Sequence, residues 1–216
     1  MIIERGKLFV VEGGVGCGKS TQWKMLAENL GNGWNFYREP GSTVFGEMMR
    51  HAVQSRIGGG PNGENFPIHP YAALFAYSAA RANLINLKVI PDLKTGTNVG
   101  LDRYWYSTFT YQGAQGVSKP VIWAISLLAT RFLKPDVVLH YDLLPEIGRE
   151  RKMKTYQGDI DRFDEMPVEF HRKVRVNYHQ LKRLFPGIWE VIDASKPIEE
   201  IKQDSLAALK KHNIIR

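Results

Sequence analysis

Residues 8–30 read LFVVEGGVGCGKSTQWKMLAENL, and this stretch decides the fold. The apolar run from Leu8 to Val11 is typical of a buried strand, and TQWKMLAENL is typical of a helix. Between them, GGVGCGKS at 13–20 fits the pattern G, four residues, G, K, S/T. Backbone N–H groups of such a loop point at phosphate oxygens, and the helix N-terminus adds positive charge. The stretch therefore predicts a phosphate-binding loop between a strand and a helix.

The loop supplies most of the candidate nucleotide-binding residues. Lys19 would reach the outer phosphates of ATP, and Ser20 would offer its hydroxyl to Mg²⁺. Cys17 is the single cysteine, so an internal disulfide is excluded and a small side chain is its expected role. The alternative is an ordinary glycine-rich turn, against which the preceding strand and following helix argue. The predicted ATP-binding residues here are Gly13, Gly14, Val15, Gly16, Cys17, Gly18, Lys19, Ser20 and Thr21.

Composition indicates an ordinary globular protein. The 216 residues are 44% hydrophobic and 24% charged, with no linker-like segment and no repeat, so a single domain over 1–216 is expected. The N-terminal apolar run is too short for a signal sequence or a membrane span, which predicts a cytoplasmic protein with no membrane partner.

The net charge of +7 leaves a polyanionic partner open. The densest basic stretches are 149–154 and 171–176. A solvated helix face is the competing interpretation of the second stretch.

Five β-rich runs alternate with helix-length segments. They are Lys7–Val11, Trp34–Arg38, Asn98–Asp102, Val137–Tyr141 and Trp189–Ile192. This alternation predicts an α/β fold with a parallel sheet and helices on both faces. Ligands of such sheets bind beyond the carboxyl ends of the strands, and polar motifs follow these runs at 38–41, 102–104 and 142.

Several motifs together resemble the thymidylate kinase family, whose members phosphorylate dTMP to dTDP. They are EGGVGCGKST at 12–21, REPGST at 38–43, SAAR at 78–81, LDRYWYST at 101–108, YQG at 111–113, DRFDE at 161–165 and DASKP at 193–197. The resemblance runs nearly end to end. It implies a three-layer P-loop kinase fold with a five-stranded parallel sheet, a short lid at about 149–165, ATP and dTMP as substrates, Mg²⁺ as cofactor and a homodimer. The lack of a stripe of aromatic and basic residues outside the predicted pocket argues against a nucleic-acid partner.

The resemblance also implies the acceptor site. Arg103 would hold the dTMP phosphate with its planar fork, and Asp102 would orient Mg²⁺ opposite Ser20. Tyr77, where the family more often has Phe, would stack on thymine, and Arg81 would hydrogen-bond the base. The implied substrate-binding residues are Glu39, Arg50, Tyr77, Arg81, Arg103, Ser107, Tyr111 and Gln112.

The resemblance also implies that residues of the lid act on ATP, the phosphoryl donor. Arg151 and Arg162 align with lid arginines and Lys154 aligns less well, so the implied catalytic residues are Lys19, Arg103, Arg151 and Arg162. A cation that reaches the transferring phosphoryl group on closure stabilises its developing charge. Ser195 belongs to the loop that would border adenine.

Val15 leaves two classes of kinase open, because it stands where the family usually has an acidic residue that contacts the substrate 3′-hydroxyl. An aliphatic residue there resembles deoxynucleoside kinases, in which Glu39 would act as a base toward thymidine. The number of candidate arginines favours a monophosphate acceptor. A nucleic-acid-dependent ATPase, as the basic charge suggests, and a non-catalytic nucleotide sensor also stay open. Apolar residues around 122–128 are the candidate dimer surface.

Overall fold

A computed structural model describes residues 5–54, 67–154 and 161–216. Five strands form one parallel sheet in the order β2-β3-β1-β4-β5. Their bounds are β1 Leu8–Gly13, β2 Trp34–Arg38, β3 Asn98–Asp102, β4 Val137–Asp142 and β5 Trp189–Asp193. The predicted α/β class with a five-stranded parallel sheet is confirmed.

Helices connect the strands and cover both faces of the sheet. Their bounds are α1 Lys19–Leu30, α2 Val44–Gln54, α3 Pro70–Leu84, α4 Ile90–Lys94, α5 Trp105–Ala114, α6 Lys119–Ala129, α7 Pro145–Lys154, α8 Val168–Leu184 and α9 Ile198–Lys211. A π-helical segment, Ile85–Val89, joins α3 to α4. Within the described ranges, none of the helices combines the length and apolarity that crossing a membrane requires.

The central strand β1 explains why the fold has three layers. Alternate side chains of a strand point to opposite faces. Leu8 and Val10 accordingly lie in a core with α3, α5 and α8, whereas Phe9 and Val11 lie in a second core with α1 and α9. All four side chains are fully buried, which matches the unbroken apolar run that predicted this strand.

The strand ends bring the predicted motifs to one edge of the sheet. Val11 is in register with Asp102, and Arg38 of β2 is also in register with Asp102. Gly13 is in register with Tyr141 of β4. The polar residues that follow β1, β2 and β3 therefore surround a single cleft at this edge, where parallel sheets bind ligands.

Candidate functional site

The glycine-rich loop runs from β1 directly into α1. Gly16 and Gly18 have φ angles of +60° and +78°, a region in which glycine is far less strained than other residues. The first hydrogen bonds of α1 run from the N–H groups of Thr21 and Gln22 to the carbonyl of Gly18. The positive end of α1 therefore faces the loop, as phosphate binding requires.

Lys19 and Asp102 form a buried ion pair at the base of the loop. The Lys19 ammonium donates a hydrogen bond to Oδ1 of Asp102, and each side chain is less than a tenth exposed. Asp102 closes β3 and Ser20 lies in the first turn of α1, so both residues lie on the cleft wall. The sequence predicted both residues at this site but did not predict the ion pair.

One large cleft gathers almost all the predicted site residues. Those that line it are Gly14, Val15, Gly16, Cys17, Gly18, Lys19, Ser20, Thr21, Glu39, Arg50, Tyr77, Arg81, Asp102, Arg103, Ser107, Tyr111, Gln112 and Arg151. Gly13, Arg162 and Ser195 are outside this lining, but each is next in sequence to a residue that belongs to it. Burial raises the pKa of the Cys17 thiol, in keeping with a packing role for the cysteine.

Arg103 lines the cleft and has an unusual backbone conformation. Its φ angle is +70°, and its guanidinium donates to the carbonyl of Gly13 at 3.2 Å and to Oγ of Ser107 at 2.9 Å. The guanidinium also lies over the Tyr111 ring, 5.5 Å from the centroid. These contacts fix a cation next to the phosphate loop.

Glu12 is a site residue that the sequence motifs did not predict. It is fully buried and accepts hydrogen bonds from Tyr104 N at 2.8 Å, Ser107 Oγ at 2.6 Å and the Tyr178 hydroxyl at 2.8 Å. Burial raises the pKa of its carboxyl, against the nearby charge of Arg103. A glutamate in an otherwise apolar strand was the signal that could have identified it.

Glu39 and Arg81 form a second buried ion pair at the far end of the cleft. Arg81 Nε donates to Oε2 of Glu39 at 2.6 Å, and Arg81 Nη2 donates to Oγ1 of Thr108 at 3.0 Å. Arg81 Nη1 and Glu39 Oε1 are buried with no hydrogen-bond partner in the described structure. Tyr77 lies one helical turn before Arg81, and its hydroxyl lacks a partner of good geometry within the described ranges, although the Gln54 side chain lies near it. These unpaired groups can hydrogen-bond a polar ligand.

Glu39 should make the stability of the protein depend on pH. Burial raises its pKa to about 7, despite the opposing effect of Arg81. Because the folded state then holds this proton more tightly than the unfolded state does, the stabilisation is complete below about pH 4.5 and is lost as the pH rises through about 7. We expect the free energy of unfolding of the wild type, relative to that of Glu39→Gln, to decrease between pH 5 and pH 8. Urea unfolding of both proteins across this range measures the difference, and a constant difference would contradict the raised pKa.

The described part of the predicted lid lies against the loop that follows β5. Arg151 donates to the carbonyl of Ala194 at 2.8 Å and to that of Ser195 at 3.3 Å. Nζ of Lys152 lies 3.2 Å from Oδ2 of Asp164, with which it forms an ion pair. The Arg162 guanidinium lies over the Phe163 ring. Residues 155–160 of the predicted lid are outside the described residues. Arg151 therefore reaches the loop predicted to border adenine.

The lid helix α7 approaches the phosphate loop most closely at Gly148, where backbone meets backbone. A Cβ atom on Gly148 would lie 2.1 Å from the carbonyl oxygen of Val15, and one on Gly16 would lie 1.9 Å from that of Gly148. Backbone atoms on both sides leave no flexible group to move aside.

Gly148→Ala should consequently destabilise the protein by about 1–3 kcal/mol, the usual cost of overpacking, and lower turnover. Gly113→Ala is the matched control, since its Cβ would meet its nearest neighbour at an ordinary 3.5 Å. It should stabilise α5 by about 0.5–1 kcal/mol. Thermal unfolding of both variants measures the contrast, and equal stabilities would refute the close contact.

The fold and the cleft define a P-loop protein: a parallel sheet, a glycine-rich phosphate loop with its lysine, an arginine directly after β3 and a buried arginine on α3. The chain belongs to the thymidylate kinase family, because the family model described as "Thymidylate kinase" matches residues 11–205.

Curated relatives align with nearly the whole of this chain. A thymidylate kinase of Thermoanaerobacter sp. (strain X514) is 34% identical over 96% of this chain and 99% of the relative. One from Rhodopseudomonas palustris (strain BisB18) is 34% identical over 96% of this chain and 90% of the relative. One from Bradyrhizobium sp. (strain ORS 278) is 35% identical over 91% of this chain and 86% of the relative.

Proposed function

We propose that this protein transfers the γ-phosphoryl group of ATP to dTMP, giving dTDP and ADP. The observation that carries the proposal is that one cleft is lined by the phosphate loop, by Arg103 and by the buried Arg81. Two nucleotides can meet there with their phosphates facing each other. The cations Lys19 and Arg103 would offset the repulsion between those phosphates.

A monophosphate acceptor suits the charges better than a nucleoside does. The second pKa of a phosphate monoester is about 6, so its oxygen is already ionised at pH 7 and requires no base. A nucleoside hydroxyl does require one, and Glu39 is the candidate. Glu39 is 3% exposed, and its Oε2 already accepts a 2.6 Å hydrogen bond from Arg81 Nε. This arrangement favours a role for Glu39 in fixing Arg81.

The base of dTMP would bind between α3 and α5. Tyr77 offers a ring for stacking, which is worth about 1–3 kcal/mol per base. The unpaired Nη1 of Arg81 is a donor suited to a pyrimidine carbonyl. Arg50, Ser107 and Gln112 line the same cleft. Cytosine reverses the donor pattern of thymine, so we propose discrimination against dCMP.

Mg²⁺ would bind next to the donor phosphates. Mg²⁺ prefers oxygen ligands from one or two protein side chains together with substrate phosphates. The Ser20 hydroxyl and the Asp102 carboxylate fit that donor set, and no larger cluster of metal-binding side chains occurs within residues 5–54, 67–154 and 161–216. When bound, the ion would neutralise phosphate charge. Arg151, Arg162 and Lys154 of the lid would add positive charge on closure.

The test is turnover of purified protein with ATP and Mg²⁺, measured as ADP release with dTMP, thymidine, dCMP or DNA added. We expect dTMP to give the highest kcat/KM by at least about two powers of ten. A preference for thymidine would instead support a deoxynucleoside kinase. ATP hydrolysis stimulated by DNA and suppressed by salt would support a nucleic-acid-dependent ATPase.

We also propose a homodimer. Large apolar side chains are exposed on or near two helices. Phe75 on α3 is 57% exposed, Leu128 near the end of α6 is 70% exposed, and Phe132, shortly after α6, is 62% exposed. Ile122, part of the surface suggested by the sequence, is instead fully buried, because it packs into the core on the side of α6 that faces α3 and α5. Sedimentation of the wild type and of Phe75→Asp tests the proposal: a monomeric wild type would refute it.

A further inference from the structure

Glu12 is a buried glutamate beside the phosphate loop. It lies on the central strand β1 directly before Gly13, is fully buried and lies outside the lining of the cleft. Burial of a carboxylate costs free energy that an apolar residue in the same strand would avoid. The presence of a glutamate at this position therefore requires an explanation in terms of the groups that it holds.

The Glu12 carboxylate holds the turn that follows β3. Arg103 in this turn has a φ angle of +70°, a left-handed conformation that residues other than glycine rarely adopt. The N–H of Arg103 donates to the carbonyl of Val11 at 3.0 Å. The next N–H, that of Tyr104, donates to Oε1 of Glu12 at 2.8 Å. Strained backbone persists only where the surrounding contacts enforce it, so these two bonds to β1 keep Arg103 in its conformation.

The hydroxyl of Ser107 bridges the same carboxylate to the Arg103 guanidinium. Oγ of Ser107 donates to Oε2 of Glu12 at 2.6 Å and accepts from Nη1 of Arg103 at 2.9 Å. Nη1 itself lies 3.9 Å from Oε2. Because a serine hydroxyl has a single proton, its donation to the carboxylate leaves a lone pair that faces the guanidinium. Glu12 therefore orients Ser107, and Ser107 orients Arg103.

We propose that Glu12 is a positioning residue for the acceptor phosphate: through the backbone of the turn after β3 and the hydroxyl of Ser107, it holds the Arg103 guanidinium where that phosphate binds. This inference rests on the proposed function. Glu12 does not touch the substrate, and its effect on the reaction passes through Arg103. A guanidinium that is already held in place has less side-chain freedom to lose when the phosphate binds. Ser107, whose proton is donated to Glu12, then serves the acceptor site through Arg103 as well.

The test is the kinetics of Glu12→Gln, which keeps the shape of the side chain and removes its charge and one acceptor oxygen. Arg103 then loses the group that holds it, so the KM for dTMP should rise by about 10- to 30-fold while the KM for ATP changes by less than about threefold. A merely structural role predicts another pattern, because a smaller folded fraction lowers kcat and leaves both KM values unchanged. That pattern in Glu12→Gln would overturn the inference.

A double-variant cycle shows whether Glu12 acts through Arg103. In Arg103→Met the guanidinium is absent, so the addition of Glu12→Gln should lower kcat/KM for dTMP by less than about threefold. A larger further loss would mean that Glu12 acts by another route and would refute the inference alone. Absence of dTMP turnover in the wild type would refute the proposed function and the inference with it.

Ser107→Ala tests the same link at a residue that is only partly buried, and it decides the question if Glu12→Gln does not fold. It should raise the KM for dTMP by about three- to tenfold, and its effect on kcat/KM should disappear in the Arg103→Met background. An effect that persisted there would mean that Ser107 contacts the substrate directly, contrary to the inference. Tyr141→Phe is the matched control: it removes a buried hydrogen bond to Ser205 on the opposite face of the sheet and should leave both KM values unchanged.

Discussion

Lys19→Met should reduce kcat by about 10³-fold, because it removes the cation expected to stabilise charge on the transferring phosphoryl group. Lys19 follows the phosphate loop directly and is held at the base of the cleft by Asp102. The loop backbone and the start of α1 stay intact in this variant, so ATP should still bind. Single-turnover kinetics together with ATP binding by calorimetry would separate these effects.

The same substitution should also destabilise the protein, by about 3 kcal/mol, since it leaves the Asp102 carboxylate buried without its partner. A double variant, Lys19→Met with Asp102→Asn, removes both charges and should recover most of that stability but none of the rate. If the double variant recovered turnover as well, Lys19 would have only a structural role. A loss of less than about tenfold in Lys19→Met would likewise contradict a catalytic role for this lysine.

Arg103→Met should lower kcat/KM for dTMP by about 10³-fold. Its guanidinium is fixed by the Gly13 carbonyl, by Ser107 and by the Tyr111 ring, so little ordering would remain to be done when phosphate binds. Arg103→Lys keeps the charge but loses the fork that can hold two phosphate oxygens, and we expect it to recover only part of the activity.

Arg103→Met has a readout that distinguishes substrate binding from folding. Removal of Arg103 takes away the cation 3.9 Å from the buried Glu12 carboxyl, but Glu12 keeps its hydrogen bonds from Tyr104, Ser107 and Tyr178. Because burial raises the pKa of Glu12, the carboxyl can take up a proton in the variant instead of staying an unpaired buried charge. Thermal unfolding should therefore change much less than turnover does. Wild-type kcat/KM in Arg103→Met would exclude this residue from the acceptor site.

The sequence predicted the sheet well because buried strands leave a strong apolar signal. The runs 34–38 and 98–102 match β2 and β3 to the residue. β1, β4 and β5 extend further than predicted, to Gly13, Asp142 and Asp193, because backbone pairing continues after the apolar side chains end. The π-helical segment at 85–89 gave no recognisable signal, since it depends on packing around α3 and α4.

The motifs predicted which residues lie near the cleft, but they did not predict which of these residues form ion pairs with each other. Lys19 with Asp102 and Arg81 with Glu39 are 83 and 42 residues apart along the chain, so only the folded structure brings them together. Glu12, in the strand before the loop, was not among the residues predicted from the motifs. The basic stretch at 171–176 left both a polyanionic partner and a solvated helix face open, whereas His171 within it is buried in the folded chain.

The contacts of the Glu12 carboxylate determine how late during synthesis of the chain the site can form. Its bond with the Tyr178 hydroxyl spans 166 residues and joins the first strand to a helix near the C-terminus. A nascent chain therefore cannot finish assembling this network until α8 has left the ribosome. Premature termination before that helix would yield a polypeptide that retains its glycine-rich loop but holds Arg103 and Ser107 without their buried anchor.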